Sequence, residues 1–111
     1  MARSEIRGTS FKNTDLSESR LCWNDFIDVD FAGAKLAGSD LRASVYKKVK
    51  FVGADLQKAD LRRSTFQECD FTGADLRGAK LSRGAKVLET LAPDQRRVID
   101  YQPEGEEPPG G

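Results

Sequence analysis

The sequence predicts an all-β solenoid built from four stacked coils, each made of four five-residue units, and closed by a short C-terminal cap. A large apolar residue recurs at every fifth position from 6 to 81, and a small or compact residue stands two places before each one. The same pattern repeats at every fourth unit, which gives a longer, 20-residue period. A period of five fits neither a helix, with about 3.6 residues per turn, nor a strand, with about 2, whereas four such units make a square coil. We therefore expect coils at residues 4–23, 24–43, 44–63 and 64–83.

The sixteen large apolar residues form four columns, and each column should stack along one inner wall of the solenoid. Walls 1 to 4, in chain order, contain Ile6, Phe26, Tyr46 and Phe66; Phe11, Phe31, Phe51 and Phe71; Leu16, Leu36, Leu56 and Leu76; and Leu21, Leu41, Leu61 and Leu81. Successive coils should rise by about 4.8 Å, the spacing between neighbouring strands. Because the interior of a solenoid is filled by its own side chains, we expect no ligand cavity.

Several units share one short motif. Ala54–Lys58, Ala59–Arg63 and Ala74–Gly78 each read Ala-Asp-Leu followed by two variable residues. This motif resembles the unit of the pentapeptide-repeat family, and the resemblance covers residues 4–83. It implies a right-handed quadrilateral parallel β-helix of four coils. Residues 4–83 contain no proline, as continuous backbone ladders require. Glycine recurs in the last place of a unit, where a corner favours positive φ, as at Gly33, Gly38, Gly53, Gly73 and Gly78.

The repeat changes after Leu81, and residues 84–101 are predicted to form a cap. Ala85-Lys86-Val87 resembles a unit displaced by one residue, so we expect a bulge there. Pro93 followed by Asp94 predicts the start of a short helix over residues 93–101. The cap could be a lid over the last coil, or the seam of a homodimer, since relatives in the family often dimerise through C-terminal elements. Residues 102–111 are predicted to be a disordered acidic tail.

Composition restricts the possible functions. Eighteen Lys and Arg residues balance eighteen Asp and Glu residues, and the chain has no His. The missing His removes the commonest general base and metal ligand, so we expect no catalytic residue, no metal and no cofactor. Cys22 should face outward in the first coil and Cys69 inward in the fourth. The two should be too far apart for a disulfide. Without an apolar leader or a membrane span, the chain is expected to be cytoplasmic.

Eight aspartates directly precede an apolar centre: Asp15, Asp25, Asp30, Asp40, Asp55, Asp60, Asp70 and Asp75. The 20-residue period stacks Asp40 on Asp60 and Asp55 on Asp75, and such pairs could bind a hard cation or perform acid–base chemistry. The alternative is solvated or salt-bridged surface. We favour the alternative because Arg42 and Arg62 flank the first pair.

Wall 4 carries an excess of positive charge. Its segments contain six basic residues against two aspartates, a net charge of +4, whereas walls 1, 2 and 3 carry −1, 0 and −1. Trp23 adjoins this wall at a corner and has no place in the core. The candidate partner-binding surface, called the basic wall below, comprises Arg20, Trp23, Arg42, Arg62, Arg63, Lys80 and Arg83.

Three functions are compatible with these features. The first is a non-enzymatic interaction or scaffold module that binds an unidentified protein through its outer walls. The second, implied by the resemblance, is a DNA mimic that binds DNA gyrase or another topoisomerase, as in quinolone-resistance relatives. It is disfavoured because residues 4–83 carry a net charge of +2 and a mimic needs a strongly negative rod. The third is binding of an anion or nucleic acid around Arg62 and Arg63, which the aspartates of the same wall oppose.

Overall fold

One wall of the molecule is a parallel sheet of four short strands. The computed structural model describes residues 3–103. The strands are β1 (Ser4–Arg7), β2 (Asn24–Ile27), β3 (Val45–Lys47) and β4 (Thr65–Gln67), in the order β1-β2-β3-β4. Their register places Phe26 on Ile6, Tyr46 on Phe26 and Phe66 on Tyr46. Paired residues of neighbouring strands are therefore 20 residues apart, which is the longer period of the sequence.

The other three walls are joined by single parallel bridges between residues one coil apart, such as that between Asp30 and Lys50. The residue before each apolar centre turns its backbone groups toward the coil below, and the centre turns its N–H toward the coil above. Thus the Asp30 N–H donates to Thr9 O at 3.0 Å, while the Phe31 N–H donates to Lys50 O at 2.7 Å. This pattern confirms the predicted all-β fold class, a quadrilateral parallel β-helix.

The apolar centres pack inside in like-on-like columns. Phe26 and Tyr46 stack with ring centroids 5.0 Å apart and an interplanar angle of 3°. The Tyr46 hydroxyl lies in the core and donates to Leu41 O at 3.1 Å. Eleven of the sixteen predicted centres are buried, and the remaining five are half-buried: Ile6, Phe11, Leu16, Leu21 and Phe66. Four of these five belong to the first coil, so burial is complete only where a coil is covered from both sides.

Every corner from residue 8 to residue 78 has positive φ. The predicted corner glycines have φ between +65° and +72°. Gly8, at +57°, occupies one further corner, and the remaining nine carry residues other than glycine, among them Trp23 at +64° and Ala43 at +52°. The corner between walls 2 and 3 of the third coil is closed by a hydrogen bond from the Ala54 N–H to Phe51 O at 3.0 Å. The corner geometry is therefore imposed by the coil and not by the residue that occupies it.

The aspartates that precede the centres have a structural role that sequence reasoning missed. The Asp30 carboxylate accepts a hydrogen bond from the Ala32 N–H at 2.8 Å, which is an Asx turn leading into the corner. The same contact recurs in six further units, at Asp15, Asp40, Asp55, Asp60, Asp70 and Asp75. The aspartate of the repeat therefore satisfies a backbone donor that the ladder does not use.

The C-terminal segment differs from its prediction in three places. A 3-10 helix over Lys86–Thr90 replaces the expected bulge and buries Val87. Helix α1 covers Pro93–Arg97 only, so the predicted helix over 93–101 is wrong beyond residue 97. Tyr101 continues the column of Leu81 one coil later, and this register favours a return to the ladder, in which β5 (Lys80–Ser82) pairs with β6 (Asp100–Gln102). The predicted disordered tail is therefore wrong at residue 102, and residues 104–111 lie outside the described residues.

The segment after β5 covers walls 2 to 4 of the fourth coil. The Gln95 side-chain amide donates to Phe71 O at 2.7 Å and to Ala74 O at 3.1 Å. These bonds lie where the backbone of a fifth coil would pair with the fourth. The Gly78 N–H donates to Val98 O at 2.9 Å. Apolar contact is added by buried residues of the cap, Val87, Leu91 and Ile99. These contacts make the cap a lid, and its alternative role as a dimer seam stays a prediction.

Candidate binding wall

The basic wall is organised as two stacked columns beside the leucines of wall 4. In the column before the leucines, Arg20 lies below Asp40, and Asp60 lies below Lys80. Strand β6 then adds Asp100 above Lys80. The described wall thus carries six basic residues and three aspartates, a net charge of +3 instead of the expected +4. The column after the leucines begins with Cys22 and continues with Arg42 and Arg62 one and two coils higher.

Two arginines of the basic wall are held in place by the aspartates of the same wall. Arg42 contacts Asp40 through Nε at 2.9 Å, and Arg62 contacts Asp60 through Nη2 at 2.6 Å. Arg42 Nε also lies 3.7 Å from Asp60 Oδ2, which links the two pairs. Hydrogen bonding from the Arg42 guanidinium holds the pKa of Asp40 below its usual value. Guanidinium groups therefore occupy the carboxylates that could have held a cation.

The corner between walls 4 and 1 forms a ridge of cationic and aromatic side chains. Trp23 is 55% exposed there, more than any other large hydrophobic residue within 3–103. Arg83 occupies the equivalent corner three coils above Trp23, with its guanidinium 5.1 Å from the centre of the Tyr101 ring. Arg63 occupies the same corner of the third coil with φ of +62°.

Sequence reasoning missed Arg3 and Tyr101 at this corner. Arg3 donates to the Asp25 carboxylate at 2.7 Å and to Ala43 O at 3.0 Å, so its side chain runs along the corner past Trp23. Both residues could have been found by extending the columns of the repeat, since Arg3 precedes Trp23 by one coil and Tyr101 follows Leu81 by one coil.

The two cysteines are free thiols in different surroundings. Cys69 points inward and donates to Tyr46 O at 3.2 Å. Burial raises the pKa of the Cys69 thiol, which keeps it protonated and unreactive. Cys22 is half-buried on the basic wall.

Within residues 3–103, no three His, Cys, Asp or Glu side chains lie close enough together to hold a metal ion. Over the same residues, no helix has the length and apolar character needed to cross a membrane. A groove does run between the fourth coil and the cap, lined by Phe71, Gly73, Leu91 and Asp94 among others, but it lies away from the basic wall.

The carboxylates predict how stability depends on pH. Hydrogen bonds from Arg42 and Arg77 lower the pKa values of Asp40 and Asp75. A lowered pKa contributes stability that is present above the unfolded value of about 3.9 and is lost as pH falls through the folded value. Since the chain has no His, urea denaturation followed by circular dichroism should give constant stability from about pH 5.5 to 7.5 and a loss below about pH 4. A change between pH 5.5 and 7.5 would contradict this assignment.

Comparison with known proteins agrees with the fold. Pentapeptide repeats match the chain in eight copies, over residues 4–42 and 47–83. No curated protein matches the sequence. Among solved structures, alr5209, a pentapeptide repeat protein from Nostoc PCC 7120, is 21% identical with a TM-score of 0.54, and the match covers 90% of this chain and 86% of that one.

A second solved structure is QnrB1, a plasmid-mediated fluoroquinolone resistance protein. It is 21% identical with a TM-score of 0.57, and the match covers 73% of this chain. The match spans 50% of the QnrB1 chain. At this level of identity both likenesses show the fold alone. Because the repeat matches more than half of the sequence and the coils have its 20-residue register, the chain belongs to the pentapeptide-repeat family.

Proposed function

We propose that the protein is a non-enzymatic interaction module whose basic wall binds an acidic surface of a partner protein. The observation that carries the proposal is Trp23, a large aromatic side chain that is 55% exposed at the edge of a wall with a net charge of +3. Trp and Arg are the residues that most often dominate the binding energy of protein interfaces. Trp23 and the arginines of the basic wall place both types on one face.

The backbone at Trp23 supports this role. Its φ of +64° lies in the left-handed region, where a bulky side chain is an outlier and glycine would be less strained. The Trp23 N–H donates to Arg42 O at 3.2 Å, so the backbone is fixed while the ring stays in solvent. Every corner of the coil has a similar φ, so the conformation alone does not mark Trp23. What sets Trp23 apart is a large aromatic ring held in solvent by a fixed backbone.

The charges of the basic wall suit a protein partner better than a nucleic acid. The Arg42 and Arg62 side chains are fixed by Asp40 and Asp60 at 2.9 and 2.6 Å, and fixed side chains lose less entropy when a partner binds. The interspersed carboxylates would repel a continuous row of phosphates, whereas the surface of an acidic protein also offers donors to meet them. The positive wall also disfavours a DNA mimic, which needs a strongly negative surface.

The unpaired cysteines support our proposal that the protein works in the reducing cytoplasm.

The test is affinity capture from the native host with matched variants. Trp23→Ala combined with Arg20→Glu removes the aromatic group and one exposed charge without breaking the ion pairs of Arg42 and Arg62. Lys12→Glu combined with Val52→Ala makes comparable changes on the opposite wall 2, where Val52 is 37% exposed. The wild type and the wall 2 variant should retain a partner. The Trp23 variant should bind it with about 30-fold lower affinity, which corresponds to the loss of a hot spot of about 2 kcal/mol.

Two outcomes would contradict the proposal. Identical sets of captured proteins with both variants would show that the basic wall is not the binding surface. Capture that disappears after nuclease treatment would assign the wall to nucleic acid instead.

A further inference from the structure

The two ends of the β-helix are finished differently. The cap covers walls 2 to 4 of the fourth coil and leaves one apolar centre, Phe66, half-buried, whereas all four apolar centres of the first coil are half-buried: Ile6, Phe11, Leu16 and Leu21. The corresponding residues one coil higher, such as Phe31 and Leu36, are completely buried. Arg3, the first described residue, does not cover the open end, because its side chain runs upward to Asp25 and Ala43. Within residues 3–103, the first coil thus presents an apolar floor.

The backbone at this end is an open edge. In the second coil, Lys35 and Asp40 turn their N–H groups downward and donate to Thr14 O and Ser19 O, each at 2.9 Å. The equivalent positions of the first coil face downward in the same way: Glu5, Ser10, Asp15 and Arg20. Within residues 3–103, none of these four finds a backbone partner below it. An unpaired edge around an apolar floor favours association with another chain.

The charges around the open end indicate that the associating chain is a second copy of the same protein. The first coil carries side chains of both signs, Glu5 and Asp15 against Arg7, Lys12 and Arg20. The Glu18 carboxylate points the other way and lies against Gly38 of the second coil. The Glu5 and Arg7 side chains already pair with each other at 2.8 Å. A strongly acidic or strongly basic partner would meet like charges on this rim, whereas a second copy brings the same mixed set. A twofold axis requires such self-complementarity.

The size of the open end suits a dimer. A wall of five residues is at most about 16 Å long at ~3.3 Å per residue, and outward side chains widen the square to roughly 26 Å, or on the order of 700 Å² per copy. Specific interfaces bury about 800 Å² per partner. Head-to-tail growth is blocked because the cap covers three of the four walls at the other end of the helix. Only an end-to-end pair remains.

We propose that the open end of the first coil is a homodimer interface, at which two copies meet end to end about a twofold axis. The half-buried Ile6, Phe11, Leu16 and Leu21 would form its apolar centre and the mixed rim its border. This differs from a dimer through the C-terminal cap, and the two arrangements can be distinguished with one variant at each end.

The experiment is sedimentation and light scattering of the full chain from about 1 to 200 µM, a range that spans typical affinities of small interfaces. The wild type should show twice the 12.3 kDa mass of one chain at the upper concentrations. Leu16→Lys, which places a charge in the apolar floor, should weaken the dimer by about tenfold or more. Val98→Lys, at a cap residue that is 39% exposed, should leave it unchanged. X-ray scattering should show a dimer elongated along the helix axis.

Each alternative result overturns the proposal. A wild type that stays monomeric at the highest concentration would exclude the interface, and a dimer lost in Val98→Lys but kept in Leu16→Lys would assign it to the cap. Circular dichroism melts establish that both variants fold. If Leu16→Lys does not fold, Ser10→Pro serves in its place, because it removes one downward N–H that no described group uses. A Ser10→Pro protein that folds and dimerises like the wild type would also contradict the proposal.

Discussion

Replacing Phe51 by alanine will destabilise the protein by about 3–5 kcal/mol. Phe51 is completely buried and stacks between Phe31 at 5.4 Å and Phe71 at 4.9 Å. Its ring also contacts the edge of Tyr46 at 5.5 Å. The cavity cannot be filled by collapse, because the coils above and below are held at a fixed distance by their backbone ladder. A domain of this size has a total stability of about 5–15 kcal/mol, so the loss is a large fraction of it.

Urea denaturation followed by circular dichroism measures the effect, at a concentration low enough to keep the chain monomeric. Phe11→Ala is the matched control. Phe11 stacks on Phe31 at 5.3 Å but is only half-buried, because it has a neighbour on one side alone. Its loss should therefore cost about half as much as that of Phe51. Equal losses at the two positions would show that burial in this column does not depend on being covered from both sides.

Proline at position 50 will destabilise the protein by about 3 kcal/mol or more, although the lysine side chain that it replaces is exposed. The Lys50 N–H donates to Val29 O at 3.0 Å, and Lys50 O accepts from the Phe31 N–H at 2.7 Å. Proline removes the donor, leaves the Val29 carbonyl without its partner, and places its ring against the backbone of the coil below. Lys50→Ala, which keeps the backbone donor, should change stability by less than about 0.5 kcal/mol.

Proline two positions later will be tolerated. Val52 precedes Gly53, whose φ is +65°, in a turn closed by the Ala54 N–H, and proline is favoured at this place in a turn. In seven other units the equivalent N–H donates to the aspartate two places before it. In this unit that place is Lys50, so the Val52 N–H finds no acceptor within the described part of the chain. Val52→Pro should therefore change the free energy of unfolding by less than about 1 kcal/mol. If both prolines cost the same, the alternation of the ladder described above is wrong.

The repeat allowed the coils to be predicted closely because one simple constraint acts on every unit. A large side chain at each centre and a small one two places earlier leave the backbone only one arrangement that buries both. The structure of the cap could not be predicted in the same way. Pro93 correctly predicted the beginning of α1, but the end of the helix depends on Tyr101 meeting Leu81 across the coils, a tertiary contact that local propensity does not contain.

The candidate site was predictable in its position but not in its electrostatics. The excess of arginine on wall 4 is visible in the sequence. The ion pair between Arg42 and Asp40, 2.9 Å long, is not, because it depends on both side chains leaving the backbone on the same face. Asp100 was not counted in the predicted charge, since β6 was expected to be part of a helix. Arg3 was missed because it stands one position before the first complete coil.

The register of the coils also determines how such a protein can change its length in evolution. A duplication or loss of one whole coil at any corner changes the rod by one turn and returns every later column to its own wall. A gain or loss of a single five-residue unit is different. The later units would still find walls to occupy, but everything above the change would be rotated by a quarter of a turn relative to what lies below. The molecule would keep its interior, and the arginines that now share one face would be divided between two.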